Sequence, residues 1–254
     1  MGIITDPLFY VFAVPAVIFL GLSKGGFSGI GMVSTPLLAI VMSPLEAAAL
    51  LLPILLVQDA ISLWVYRRVW DPWTLAVMLP GAVIGVGAAW LLAAYVSDAV
   101  VRLVVGLIAI GFVANAFRQR NRPPQQYRPH AAHGLFWGAL SGFTTTLIQI
   151  GAPPYYAFVL PQRLPKMIFV GTTVMFFAAA NTMKIAPYLA LGQFSTAGLA
   201  TALALFPLAI ASNFLGIWLV RITPDTWFFR ITNALVFVLG LELTRQGVTA
   251  LLMR

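Results

Sequence analysis

Apolar residues run through this chain in long stretches broken at short polar intervals, and the stretches set the elements. They predict a broken first element over residues 7 to 42, then helices over 46–66, 73–94 and 98–117. A second series follows, with a broken element over 134–160 and helices over 166–187, 195–219 and 226–244. A helix needs roughly 20 apolar residues to cross about 30 Å of hydrocarbon. The chain supplies seven or eight such spans, about eight if each broken element is counted once. A membrane barrel would alternate over segments of about ten residues instead. The pattern therefore defines an all-α polytopic membrane protein.

One long polar stretch, Arg118 to His130, interrupts the apolar runs near the middle, and it is rich in arginine and proline. The series on its two sides look like copies. Pro36-Leu37-Leu38-Ala39 matches Pro154-Tyr155-Tyr156-Ala157, each after a glycine-studded segment. Pro80 is answered by Pro207, and Asp98 with Arg102 by Asp225 with Arg230. The reading is a first repeat over 1–117, a polar loop over 118–133 and a second repeat over 134–254. If each broken element is a hairpin returning to its own side, Arg67, Arg68, Arg118, Arg120, Arg122, Arg128, Arg163, Lys166 and Arg221 share one face. That face is then cytoplasmic by the positive-inside rule, and the central loop with it. The same assumption makes the halves inverted repeats, each a re-entrant element plus three transmembrane helices.

Composition narrows the function. The chain is 61% hydrophobic and only 9% charged, against about 25% charged in soluble domains. Its formal charge of +8 comes from loop residues, where topology places them, so a nucleic-acid partner is not indicated. Without cysteine there is no disulfide, thiol nucleophile or thiolate metal site. His130 and His133 fall in the polar loop, where solvation accounts for them, and no metal or cofactor is expected. The start, Met1 to Asp6, lacks a basic n-region and a small-residue cleavage site, so the first apolar run is read as part of the mature membrane domain.

Within this apolar background, Gly21-Leu22-Ser23-Lys24-Gly25-Gly26-Phe27-Ser28-Gly29-Ile30-Gly31 and the following Ser34, Thr35 and Pro36 stand out. An ammonium in hydrocarbon is costly, and glycine weakens a helix, so the segment points to a polar cavity. A break there would free backbone N–H groups near a helix start at Pro36, the arrangement that attracts anions. The second copy, Ser141 to Pro154, substitutes hydroxyl and amide donors: Ser141, Thr144, Thr145, Thr146 and Gln149, ahead of Gly151. Each such hydroxyl binds either an oxyanion or its own helix carbonyl. Glycines spaced by four at 134 and 138 are open to both helix packing and site lining. Two polar spots lie deep in apolar helices, Gln58-Asp59 and Asn181 with Lys184. Asp59 is open to three readings: proton acceptor for coupled transport, ion-pair partner of Lys24 or Lys184, or interfacial residue. Tyr155, Tyr156 and Trp64 are candidates for an aromatic wall, against a belt position at the membrane interface. Glu46 and Glu242 read as helix-end residues. No zinc motif, nucleophile elbow or Walker loop is present, so the chain is not read as an enzyme.

These features together resemble the TauE/SafE sulfite-exporter family of sulfur-anion permeases. The resemblance spans nearly the whole chain and rests on Gly21 to Gly29 through Pro36-Leu37-Leu38, the Pro53 to Asp59 helix, Pro80-Gly81-Ala82 with Gly85 and Gly87, and the repeat. It implies secondary transport of sulfite, an organosulfonate or a related sulfur-containing anion across a bacterial inner membrane by alternating access. Its partners would be the anion, the lipid bilayer and a proton or other coupling ion, with an oligomer open. Lys24, Gly25, Gly26, Ser28, Gly29, Gly31, Ser34 and Thr35 from the first motif would bind substrate. Ser141, Thr144, Thr145, Thr146, Gln149, Gly151, Tyr155, Asn181 and Lys184 would join them from the second half. Asp59 would couple the ion. Family members often carry another glycine-rich stretch where this chain has Thr144-Thr145-Thr146 and Tyr155-Tyr156, which leaves room for an organosulfonate, including an aromatic one such as toluenesulfonate. The competing class is an anion channel using the same donors as a filter.

Overall fold

The computed structural model describes residues 3–27, 30–92, 95–118, 130–190 and 194–252. The first series comprises α1 (Pro7–Gly25), a 3-10 turn (Ile30–Val33), α2 (Ser34–Leu38), α3 (Pro44–Tyr66), α4 (Pro72–Leu92) and α5 (Asp98–Arg118). The second comprises α6 (Ala131–Ile148), α7 (Ala152–Val159), a 3-10 turn (Leu160–Gln162), α8 (Lys166–Met183), α9 (Ile185–Ala190), α10 (Thr196–Ile222) and α11 (Asp225–Leu252). The described residues contain no strand, and the chain is an all-α polytopic membrane protein. Six described helices or helix pairs are long and apolar enough to cross a membrane: α1, α3, α4, α8 with α9, α10 and α11. Most of the polar loop, residues 119–129, lies outside the described residues.

Local chemistry explains where these helices begin and end. Asp6 accepts the Leu8 N–H at the start of α1, and Pro7 sits where a missing N–H costs nothing. Ser43 and Glu46 form a capping box before α3, so Glu46 is a capping residue as expected. Asp71 caps the start of α4 by accepting the Thr74 N–H at 2.8 Å. Two departures from the sequence expectation stand out. α11 runs on to Leu252, so Glu242 sits inside a helix, paired with Arg245 and Gln246. The predicted single helix over 166–187 breaks at Lys184, between α8 and α9. Pro187 explains the break, since it offers no N–H to the Met183 carbonyl and its ring crowds that turn.

Both broken elements double back. In the first, Ser34 donates to the Ala16 carbonyl at 2.8 Å, so by α2 the chain has returned half the length of α1. In the second, Ser141 donates to the Gly151 carbonyl at 2.7 Å, and Phe158 reaches the level of Gly134, so α7 runs back along α6.

The chain forms two compact units. Unit 1 takes residues 1–70 and 173–224, and unit 2 takes residues 71–172 and 225–254. Each unit draws on both sequence halves. In unit 1, α1 packs on α10; in unit 2, α6 packs on α4, and α5 on α11. The broken helix of one half thus lies against the third helix of the other.

Small residues make these contacts close, as association without a water-driven hydrophobic force requires. A Cβ on Gly25 would come within 2.5 Å of the Gly216 backbone, and one on Gly21 within 2.0 Å of Ser212 Oγ. In unit 2, a Cβ on Gly138 would fall 2.2 Å from the Met78 carbonyl oxygen, and one on Gly85 1.9 Å from that of Ala139. Packing therefore accounts for Gly21, Gly25, Gly134 and Gly138. By contrast, nothing lies within 4 Å of a Cβ on Gly87. Gly138→Val should separate α4 from α6 at a cost of about 1–3 kcal/mol, lowering the melting temperature in detergent by several degrees. Gly87→Ala, with room for its methyl inside α4, should not lower it and should raise it slightly through helix propensity, and the two scans side by side check the assignment.

Candidate functional site

An α-helix leaves its last four carbonyls without intrahelical donors, and at the end of α1 this demand is met by side chains of α3. Ser62 Oγ donates to the Lys24 carbonyl at 2.9 Å, and Tyr66 Oη donates to the Gly25 carbonyl at 2.8 Å. Asp59, Ser62 and Tyr66 stand at spacings of three and four, which puts them on one face of α3. The same face brings Asp59 under the Lys24 side chain, with Nζ 2.6 Å from Oδ1. A cation in the last turn of a helix is also favoured by the helix dipole.

The second carboxylate oxygen is held from α8, where Asn181 Nδ2 donates to Asp59 Oδ2 at 2.6 Å. Lys184 follows Asn181 by three positions, at the α8/α9 break, and is fully buried (0% exposed) within coulombic reach of both Lys24 and Asp59. Behind the centre, α10 completes the support. Asn213 Nδ2 donates to the Gln58 carbonyl at 2.8 Å, its Oδ1 lies 3.1 Å from Ser62 Oγ, and Gln58 Nε2 donates to the Ala209 carbonyl at 3.2 Å. Asp59 and Asn181 are each 3% exposed, whereas the Lys24 side chain keeps 12% exposure, so the carboxylate is buried and the ammonium side lies nearer the surface.

Four of the sequence candidates thus meet inside unit 1: Lys24, Asp59, Asn181 and Lys184. Asp59 takes the role of ion-pair partner to Lys24. The remaining members of the first motif do other work at the break. Gly26 has φ 139°, which favours glycine, and its N–H bonds the Leu22 and Ser23 carbonyls. The Phe27 N–H bonds the Leu22 carbonyl, and the Ile30 N–H bonds the Phe27 carbonyl. Gly31 lets the turn lie on Ser23, Ser34 pins the return limb, and Thr35 sits half-buried in α2. Ser28 and Gly29 lie outside the described residues.

The second motif belongs to unit 2. Ser141 bridges to Gly151, Thr144 donates to the Ser141 carbonyl at 3.3 Å, and Thr146 donates to the Gly142 carbonyl at 2.8 Å. Thr145 is buried on the same helix, and Gln149 ends α6 in the left-handed region at φ 58°. Tyr155 and Tyr156 are fully buried and packed edge to face, with Tyr156 stacked on Phe169. Trp64 is 65% exposed on the outward side of α3 beside Arg67, a belt position.

Sequence reasoning missed Ser62, Tyr66 and Asn213. The signal was available for two of them, since Asp59, Ser62 and Tyr66 form a polar i, i+3, i+7 row in an otherwise apolar helix. Among the described residues no cluster of three or more His, Cys, Asp or Glu side chains is placed to hold a metal. Removing one partner of a buried ion pair strands the other charge, so Lys24→Met and Asp59→Leu should each destabilise by about 3–5 kcal/mol. The double variant should lose clearly less than the sum, which a double-mutant cycle of detergent melting would read.

The family model for the sulfite exporter TauE/SafE matches residues 13–243. No curated protein and no solved structure matches the chain. The matched region contains every member of the buried centre, from Lys24 through Asn213, and with it the chain belongs to the sulfite exporter TauE/SafE family.

Proposed function

We propose that this chain is a secondary transporter that binds a sulfur-containing oxyanion, sulfite or an organosulfonate, at the Lys24 centre of unit 1, and exposes it alternately to the two sides of a bacterial inner membrane. Membership of a sulfite exporter family supports the substrate class and the membrane setting. The observation that carries the reading is the position of two lysines at two helix breaks: Lys24 in the last turn of α1 and Lys184 between α8 and α9. Broken helices in a membrane are tolerated where they line a protein or polar interior, and transporters place their sites there. A sulfonate or sulfite oxygen has the charge and hydrogen-bonding capacity to compete with Asp59 for Lys24 Nζ, and Asn181 is a neutral donor within the same cluster. The doubled-back elements give each half a return limb plus three helices, and this supports an inverted repeat as the moving architecture.

Asp59 is the candidate coupling group. A proton on its carboxylate removes the charge that holds Lys24 and leaves the ammonium to the substrate. Nothing on the chain resembles a nucleotide-binding domain, so the driving force in this reading is an ion gradient or the gradient of the substrate itself.

Purified protein in liposomes should show saturable sulfite or toluenesulfonate flux with counterflow, whereas large unitary currents would establish the channel reading instead. Lys24→Gln should weaken binding of the transported anion about tenfold or more, with Arg230→Gln, on an exposed face, as the unaffected control. Equal effects of the two would make Lys24 a purely structural residue. A pH gradient should accelerate sulfite flux in the wild type and not in Asp59→Asn; unchanged acceleration in the variant would remove the coupling role from Asp59.

A further inference from the structure

Where α5 begins against the end of α11, unit 2 holds a cavity of about 330 Å³ lined by Ser97, Asp98, Ala99, Arg102, Gln246 and Ala250. The two helices run antiparallel, with Gly247 packed on Ala99 and Leu103 and Gly106 on Thr244. Beside that seam, Asp98 with Arg102 and Gln246 with Ala250 stand at i, i+4, so each pair makes one wall. Glu242 orients the polar groups. Its Oε1 accepts from Gln246 Nε2 at 2.7 Å, which turns the amide oxygen toward Arg102, and that oxygen accepts from Arg102 Nη1 at 2.6 Å. A guanidinium carries five N–H donors, and among the described residues only this one has an acceptor. Ser97 Oγ is shielded from solvent and has no hydrogen-bond partner among the described residues. Asp98 is exposed and joins no ion pair among them.

The cavity lies at headgroup depth. α11, with 28 residues, is about 42 Å long against about 30 Å of hydrocarbon, so its last turns pass into the interfacial layer. Gln246 is within two turns of the end of α11, and Arg102 is one turn from the start of α5. Trp90 and Tyr95, just ahead of the cavity in the chain, are 46% and 85% exposed, as aromatic side chains at a membrane interface are. Further along the two helices, Val104, Leu107, Val238 and Leu241 are exposed and offer an apolar surface to lipid. The donors at Arg102 and Ser97 suit an oxyanion, and the carboxylate of Asp98 suits a cation. We propose that the cavity binds the headgroup of a phosphoethanolamine lipid, with its phosphate on Arg102 and Ser97 and its ammonium on Asp98. A trimethylammonium headgroup has no N–H to donate to that carboxylate, and a glycerol headgroup has no positive charge to offer it. The proposal is independent of the transport reading.

Native mass spectrometry of the delipidated protein in detergent, titrated with dioleoyl phosphatidylethanolamine, phosphatidylglycerol and phosphatidylcholine, tests this. The wild type should bind the ethanolamine lipid about fivefold or more tighter than either of the others. Arg102→Gln should weaken all three lipids together. Asp98→Asn, at an exposed position that leaves folding intact, should remove the advantage of the ethanolamine lipid over phosphatidylglycerol; gel filtration checks that both variants are folded. Equal binding of the three lipids by the wild type overturns the headgroup reading, and so does an ethanolamine preference that survives in Asp98→Asn. Unchanged lipid binding in Arg102→Gln overturns the site itself. Soluble O-phosphoethanolamine should displace the lipid only at far higher concentration; displacement at equal concentration makes the ligand a soluble zwitterion and overturns the lipid assignment.

Discussion

Unit 1 is organised around one ion pair, Lys24 with Asp59, held where α1 ends against the last turns of α3. Its constraint is electrostatic before it is functional. Neither charge is tolerable alone in an apolar bundle, and a side chain on the wrong turn of either helix would leave both stranded. The register of α1 on α3 is therefore tied to it, and the neighbouring contacts follow the same alignment. Ser62 and Tyr66 cap the two carbonyls beside Lys24, and Asn213 supports Ser62 from α10. Tight packing of α1 on α10 through Gly21, Gly25, Ser212 and Gly216 lets α10 come close enough to join the network. Glycine at these positions supplies proximity, and the polar side chains around them supply satisfaction.

Such a centre is stable but not inert. An ion pair in the interior gains little net stability over a well-packed apolar equivalent, so its presence is better explained by what it does than by what it holds. Two lysines at two helix breaks, Lys24 and Lys184, stand around one buried carboxylate. The short helices α2 and α9 beside the two breaks have few helical hydrogen bonds, so local opening there costs less than in the long helices.

Much of the fold was legible in the sequence because hydrocarbon leaves few options for a backbone. Long apolar runs gave the spans, Pro36 and Pro154 marked the return limbs, and the matched prolines at 80 and 207 fell inside α4 and α10, the helices that receive α6 and α1. The break at Lys184 was not recognised, although Pro187 signals it, because the surrounding apolar run is continuous. The site was only half legible. Lys24, Asp59, Asn181 and Lys184 were visible as polar residues in the wrong solvent, and cost alone singled them out. Their meeting depends on which helices pack together, which no spacing within one helix reveals. The hydroxyls of Ser141, Thr144 and Thr146 looked like ligand donors for the same reason, yet in the folded chain each has a carbonyl within reach on its own hairpin. A hydroxyl can satisfy itself locally; an ammonium needs a partner from elsewhere. That difference is why the charged residues were the better guide.

The central claim is that a sulfur oxyanion binds beside Lys24 and Lys184 in unit 1. The most direct measurement is a crystal structure of the protein soaked with 4-bromobenzenesulfonate, using the anomalous signal of bromine and the density of the sulfonate to place the ligand without prior assumption. The account predicts the sulfonate oxygens within hydrogen-bond distance of Lys24 Nζ, with Asp59 displaced from it. A ligand bound in unit 2 against the Thr144 to Tyr155 hairpin, with the Lys24–Asp59 pair intact, would contradict it.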